Sequence, residues 1–461
     1  MSSKPVKKAA KLQIPEEGLL DARVLGWPRM LVLGLQHMFA MFGATVLVPL
    51  LLNEYGLPMS IQTTLLCAGL GTLLFHVLTK LKVPAFLGSS FAFLGGFSTV
   101  ANLDTGIFAN MSGAEKLPYA LGGVVVAGVL YLIMALIIKL VGVRRVMRFL
   151  PPVVTGPIII SIGLILASSA IDSASSCWWL AFVALATIIV ANIFGKGMIK
   201  IIPILLGVLV PYALSLVLTL TGVLDPSSGA YIHFEEVAAA KIVGLQPFTL
   251  PKFDWTAVLV MAPIAIATMM EHVGDISAIS ATTGQNFVED PGLHRTLLGD
   301  GLATSLAALI GGPANTTYGE NTGVLALSRV YDPKVVRLAA LFAIVLSFSP
   351  VFAQLVHSIP TAIVGGVSFI LYGMISAIGV RNVVENHVDL SKSRNVIIAA
   401  VILVSALGFG DGLSFTIGTT TITLTSLAIA AILGIVLNAV LPGKDYEFKT
   451  DTGVQFTTPH K

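Results

Sequence analysis

Residues 311–329 read GGPANTTYGENTGVLALSR, and upstream residues 269–275 read MMEHVGD. The first stretch sets a carboxylate, Glu320, among glycines and hydroxyls; the second sets Glu271 and Asp275 one helical turn apart. Around both, the chain is mostly oil. Of 461 residues, 11% are charged and 55% hydrophobic, with a mean hydropathy of +0.90, whereas a soluble domain carries about 25% charged residues. This composition belongs in a bilayer, and the fold has to explain three carboxylates inside it.

Working outward, apolar runs near the roughly 20 residues that cross a hydrocarbon core occur fourteen times, from about 30–52 to about 419–441. They are continuously apolar rather than alternating in segments of about ten, so the spans are helices and not barrel strands. With the N-terminus in the cytoplasm, 24 of the 27 Lys and Arg fall in the tails and cytoplasmic loops, leaving Lys116, Lys241 and Lys252 outside. A miscounted span would exchange the sides of every later loop. No apolar signal region with a cleavage site precedes the first span, so the basic start reads as a retained tail. Cys67 and Cys177 imply neither a disulfide framework nor a thiolate metal site.

Seven spans per half, an odd number, would make the halves inverted, and a weak internal repeat supports this. Gln36-His37 in span one is echoed by Glu271-His272 in span eight, and Leu150–Gly156 (LPPVVTG) by Ile359–Gly365 (IPTAIVG). The expected fold class is an all-α polytopic membrane protein of fourteen transmembrane spans in two inverted seven-span repeats. Its expected divisions are a cytoplasmic tail (1–28), a first repeat (29–222), an external loop with a short hairpin (223–252), a second repeat (253–441) and a cytoplasmic C-terminal tail (442–461). The cell membrane is the expected location.

Spans three (PAFLGSSFAFLGG, from Pro84) and ten (from Gly311) are short and interrupted by glycines and hydroxyls at the same ordinal position in each half. A single glycine pair serves close helix packing as readily as function. Two matched interruptions, one with an acid, point to broken helices whose N-termini aim backbone N–H groups at a ligand.

Glu271, Asp275, Asp300 and Glu320 are acids within or at the ends of spans, with no Lys or Arg deep in any span to neutralise them. A charge at the bilayer centre costs about 2.5–3.5 kcal/mol on insertion scales, so stability does not account for them. Asp300, two turns from the cytoplasmic end beside Arg295, is expected in an interfacial pair. His37 and His272 are expected to bond neighbouring helices, with His37 also a candidate in proton coupling.

The chain resembles the nucleobase-ascorbate transporter family, and most of all its bacterial uracil permeases. The matching residues are Gln36-His37, Gly88-Ser89-Ser90-Phe91-Ala92-Phe93, Glu271-His272-x-Gly274 and Tyr318-Gly319-Glu320-Asn321-x-Gly323 running to Ser328-Arg329. The resemblance covers about residues 29–441. It implies a core domain (spans one to four and eight to eleven), a gate domain (the other six) and short antiparallel strands in spans three and ten that face each other at the substrate. It also implies a homodimer that works by moving core against gate. Carried over by residue, Glu271 and Glu320 would bind the base, and Ser90, Phe91, Tyr318 and Gly319 would line the pocket. Two departures stand out: Asp275 occupies a place where uracil permeases of the family can carry His and purine carriers carry Asp, and Ser328 replaces the usual Thr. Glu320, where purine carriers show Gln, favours a pyrimidine.

The chemistry points the same way. Uracil offers two N–H donors and two carbonyl acceptors; carboxylates accept and backbone amides donate, so two acids and two helix ends form a complementary set. Clustered acids in low dielectric also hold a proton between them, which favours proton symport, with Asp275, Glu271 and His37 as the coupling candidates. The expected partners are therefore a small nucleobase, membrane lipid and a second copy of the chain, with no nucleic acid, no metal and no cofactor beyond the co-transported proton. A purine (xanthine or uric acid) symporter remains the alternative, and an anion carrier of similar architecture a more distant one. No nucleophile–base pair or metal-ligand spacing suggests an enzyme, and one acidic cluster does not make the continuous polar lining of a channel.

Overall fold

The computed structural model describes residues 18–410, 412–417 and 420–443. Most of the expected N-terminal tail and nearly all of the C-terminal one lie outside them. The principal helices are α1 (Trp27–Glu54), α2 (Ile61–Leu78), α3 (Leu94–Ala101), α4 (Gly113–Val141), α5 (Pro152–Ser175), α6 (Trp178–Phe194) and α7 (Pro203–Leu220). After the midpoint come α8 (Ile264–Thr283, preceded by Trp255–Met261), α9 (Leu293–Leu309), α10 (Gly319–Ser328), α11 (Pro333–Ser347), α12 (Thr361–Glu385), α13 (Ser393–Gly408) and α14 (Ser426–Val440). Among the described residues seven helices are long and apolar enough to cross a membrane, or eight counting α11 with Pro350–His357, bent by 90° at the intervening Phe348-Ser349.

Local chemistry sets the boundaries. Pro28, Pro152, Pro203 and Pro333 stand in first turns, where their missing N–H costs nothing. Ser60, Asp332 and Thr425 cap α2, α11 and α14 with side-chain oxygens, and Ser112 with Glu115 forms a capping box on α4.

Where α3 and α10 might have been full spans, each is preceded by a strand. β1 (Leu87–Ser89) pairs antiparallel with β2 (Asn315–Thr317), Gly88 opposite Thr316. Bonds from Ser90 N to Ala314 O (2.8 Å) and from Tyr318 N to Phe86 O (3.0 Å) extend the ladder. Neighbouring helices satisfy the outer edges, as backbone at membrane depth requires: Leu87 N donates to Thr72 Oγ1 (2.9 Å) and Thr304 Oγ1 donates to Asn315 O (2.8 Å). Gly88 is obligatory, because a Cβ there would lie 2.4 Å from the Tyr318 ring.

The helices pack in two groups. α9 lies chiefly against α4 and α2, and α11 against α2 and α1; separately, α5 lies chiefly against α12 and α13, with α6 against α7 and α12. Along α5 and α12 glycines bring backbones together: a Cβ on Gly163 would meet Tyr372 O at 2.1 Å, and one on Gly365 would meet Ala174 N at 2.2 Å. The groups meet where α1 touches α7 and α12, and where α8 touches α5 and α14.

Two local expectations are corrected. The loop 223–252 holds a short helix, Glu235–Ala239, and no strand; Glu235 and Glu236 favour a helix N-terminus, while Gly244, Pro247 and Pro251 interrupt any ladder. The hairpin instead joins α13 to α14, as β3 (Leu413–Ile417) with β4 (Thr420–Leu424). Span fourteen therefore starts at Ser426 rather than near 419, because the Thr-Thr-Ile-Thr-Leu run preceding it is β-branched.

Candidate functional site

Two helix N-termini converge on the strand pair. Ser90 precedes a 3-10 turn, Phe91–Phe93, that continues into α3, and Tyr318 in extended conformation precedes α10. The first amides of each helix have no intrahelical acceptor and present positive ends toward the region between them.

α8 supplies the acids. Glu271 and Asp275 are half-buried on one face, and Glu320 is half-buried in the first turn of α10. Open space separates the helices: Gly274, Gly319 and Gly323 are exposed. A Cβ on Gly274 or Gly323 would meet nothing within 4 Å, and one on Gly319 would meet only the Asp275 carboxylate, at 3.9 Å. Asp275 of α8 thus faces Gly319 of α10, with exposed glycine backbone on both helices. Phe91, almost fully buried at the start of the other helix, meets Tyr372 of α12 edge-on, with ring centroids 6.0 Å apart.

The remaining candidates occupy supporting positions. The Tyr318 hydroxyl donates to Ser89 O at 2.8 Å, with Thr45 and Ser89 hydroxyls 3.4 and 3.3 Å away, so this ring braces the strand pair against α1. Ser90 is buried, and among the described residues its hydroxyl has no hydrogen-bond partner. His37 is buried on α1, where Asn321 Nδ2 meets its Nδ1 at 3.1 Å and its carbonyl at 3.0 Å. The imidazole thereby holds α10 to α1, and among the described residues no hydrogen bond joins it to Asp275.

Asp300 is not at the interface and does not pair with Arg295. It is fully buried, its Oδ2 3.1 Å from Nδ1 of the equally buried His272, whereas Arg295 reaches the carbonyl of Leu78 at 3.2 Å. The Gly299-Asp300-Gly301 sequence explains the burial: Cβ atoms at those glycines would strike Phe75 of α2 at 2.8 Å and Tyr131 of α4 at 2.3 Å, so both helices close over the carboxylate. His272 also stands 3.5 Å from the Thr317 hydroxyl, which donates to Asp275 Oδ2 at 2.7 Å. Polar contacts thus run from Asp275 through Thr317 and His272 to Asp300. The sequence alone gives Thr317 no role, and Asn321 only a place in the family motif. Both sit inside the quoted 311–329 stretch, where the odd polar positions of a strand and the first turn of a helix were the available signal.

The Permease family model matches residues 28–415. The uracil permease of Bacillus caldolyticus is 42% identical over 429 residues, covering 90% of this chain and 92% of that protein. That of Bacillus subtilis (strain 168) is 38% identical, covering 91% and 94%. The putative pyrimidine permease RutG of Escherichia coli (strain K12) is 39% identical, covering 90% and 89%. Among solved structures, the transmembrane domain of the cyanobacterial bicarbonate transporter BicA aligns with a TM-score of 0.61 at 16% identity, covering 86% of this chain and 98% of that one. The murine anion transporter Slc26a9, inward-facing, aligns at 0.62 and 12% identity, covering 95% and 73%. At such identities the likeness is one of fold.

Proposed function

We propose that this chain, which belongs to the Permease family, is a secondary active transporter that brings uracil into the cell together with a proton. A transporter rather than an enzyme follows from the family. The choice of a nucleobase draws on the relatives named uracil permease. The observation that supports it in this chain is the placement of the half-buried acceptor carboxylates of α8 and α10 near exposed glycines and two helix starts rich in donors.

In this reading the ring N–H groups of uracil donate to Glu271 and Glu320, while first-turn amides near Phe91 and Gly319 donate to its carbonyls. Such charge-assisted bonds are roughly twice as strong as neutral ones. Phe91 stacks against the base, Ser90 lends its unpartnered hydroxyl, and Tyr318 keeps the strand pair rigid. Asp275 carries the co-transported proton with Glu271, the two acids titrating as a pair, and His37 holds α10 in place.

All fourteen elements α1 to α14 are read as spans or broken spans, in two inverted sets of seven, with both chain ends cytoplasmic. The group of α1–α4 and α8–α11 is the moving core and the rest the gate; a homodimer embedded in lipid is the working unit. One observation favours a second reading: Asp275 stands where purine carriers of the family have Asp, so xanthine is the competing cargo.

The test is uptake of radiolabelled uracil into vesicles containing the protein. Saturable uptake that collapses with a protonophore supports the proposal, and xanthine competing at lower concentration than uracil would transfer it to a purine.

A further inference from the structure

We infer that Glu54 is an outer latch, which ties the end of α1 to the paired helices α5 and α12 and has to release before the site can open on that face. This rests on the transport reading above, in which the α1 group moves against the α5/α12 group. The Ser173 hydroxyl, buried on α5, donates to Glu54 Oε2 at 2.8 Å. α1 also touches α12 directly.

Ser173 belongs to the closely packed pair of α5 and α12. Around Ser173, Gly365 of α12 lies so close to α5 that a Cβ would strike Ala174 N at 2.2 Å. Glu54 belongs to the other group, since α1 packs along α11; a Cβ on Gly34 would meet Leu338 at 2.7 Å. The latch thus crosses the boundary along which the groups would slide. It stands apart from the binding residues: nine residues separate it from Thr45, which touches Tyr318, or about 14 Å along a helix.

Next to Phe91, at Ala92, the space is narrow. Between α3, α5 and the start of α14 only a cavity of about 50 Å³ remains, lined by Gly95, Thr99, Leu166 and Ser426 among others, room for a few waters and not for a heterocycle. The space beside Gly274 and Gly323 is open by contrast. Latch closed and cavity collapsed are two parts of one conformer.

Thr99, on the wall of that cavity and half-buried, provides a reporter. In a Cys177→Ser background, Thr99→Cys is treated with a membrane-impermeant maleimide from the external side of right-side-out vesicles, without substrate. Glu54→Ala should raise the labelling rate at least threefold over the parent, and Ser173→Ala, which removes the donor from the opposite helix, should do the same. Glu54→Gln, whose carbonyl still accepts from Ser173, should stay near the parental rate. Unchanged rates in both alanine variants, each checked as folded by its elution profile, would overturn the latch, as would labelling only from the cytoplasmic side. Failure of the parent to take up uracil would count against the transport reading while leaving these rates to decide the latch.

Discussion

At the scale of single residues, the carboxylates divide by what surrounds them. Glu320 borders open space and has an amide-rich helix start behind it, so Glu320→Gln keeps the shape while turning one acceptor into a donor that faces a ring N–H. Uracil uptake should fall below about a tenth of the parent with membrane insertion unchanged, because losing a charge-assisted contact costs about 1.5–3 kcal/mol. Asp275 differs, being already bonded to Thr317. If it carries the proton, Asp275→Asn should bind uracil within about tenfold of the parent, roughly 1.4 kcal/mol, while its binding loses pH dependence and uptake ceases to follow an imposed proton gradient. If its role is only to fasten Thr317, Asp275→Asn protein will bind poorly at every pH or unfold. Isothermal titration at several pH values separates the two outcomes. The His272–Asp300 pair is sealed from water, so Asp300→Asn should lower the melting temperature of the purified protein, since removing one member of a buried pair typically costs about 3–5 kcal/mol.

At the scale of elements, the strand pair is where backbone chemistry overrules helix formation. Gly88 is its narrowest point, and Gly88→Ala would push a methyl into the Tyr318 ring. Transport should be lost even though no acid is touched, and a Gly88→Ala chain that takes up uracil at the parental rate would show that the pair is not a fixed platform. The interruption at 84–96 and 311–323 could be read from glycines, prolines and hydroxyls that no full span tolerates well. The burial of Asp300 could not, because its partners come from α2, α4 and α8, and only the glycines flanking it hinted at close approach. The β3–β4 hairpin was hidden for a different reason: an apolar, Thr-rich run such as 420–424 satisfies hydropathy for a span as well as it satisfies strand propensity. In the loop 223–252 the same ambiguity ran the other way, and Glu235–Ala239 is helical.

At the scale of the molecule, composition and periodicity were enough to place the chain in a membrane, and the quoted motif was enough to place it in its family, as the match over residues 28–415 shows. Which faces of those helices meet is a matter of small residues whose contacts have no local signature, so the division into two packing groups emerges only in three dimensions. In the proposed function that division makes a carrier possible, because the acids lie on one group while Tyr372 of the other meets Phe91. The most direct measurement of the central claim is uptake of labelled uracil by proteoliposomes with an imposed pH gradient, acidic outside. The account predicts saturable accumulation above the external concentration that disappears when a protonophore collapses the gradient and is absent with Glu320→Gln. Uptake that merely equilibrates, whatever the gradient, or that survives Glu320→Gln, would contradict it.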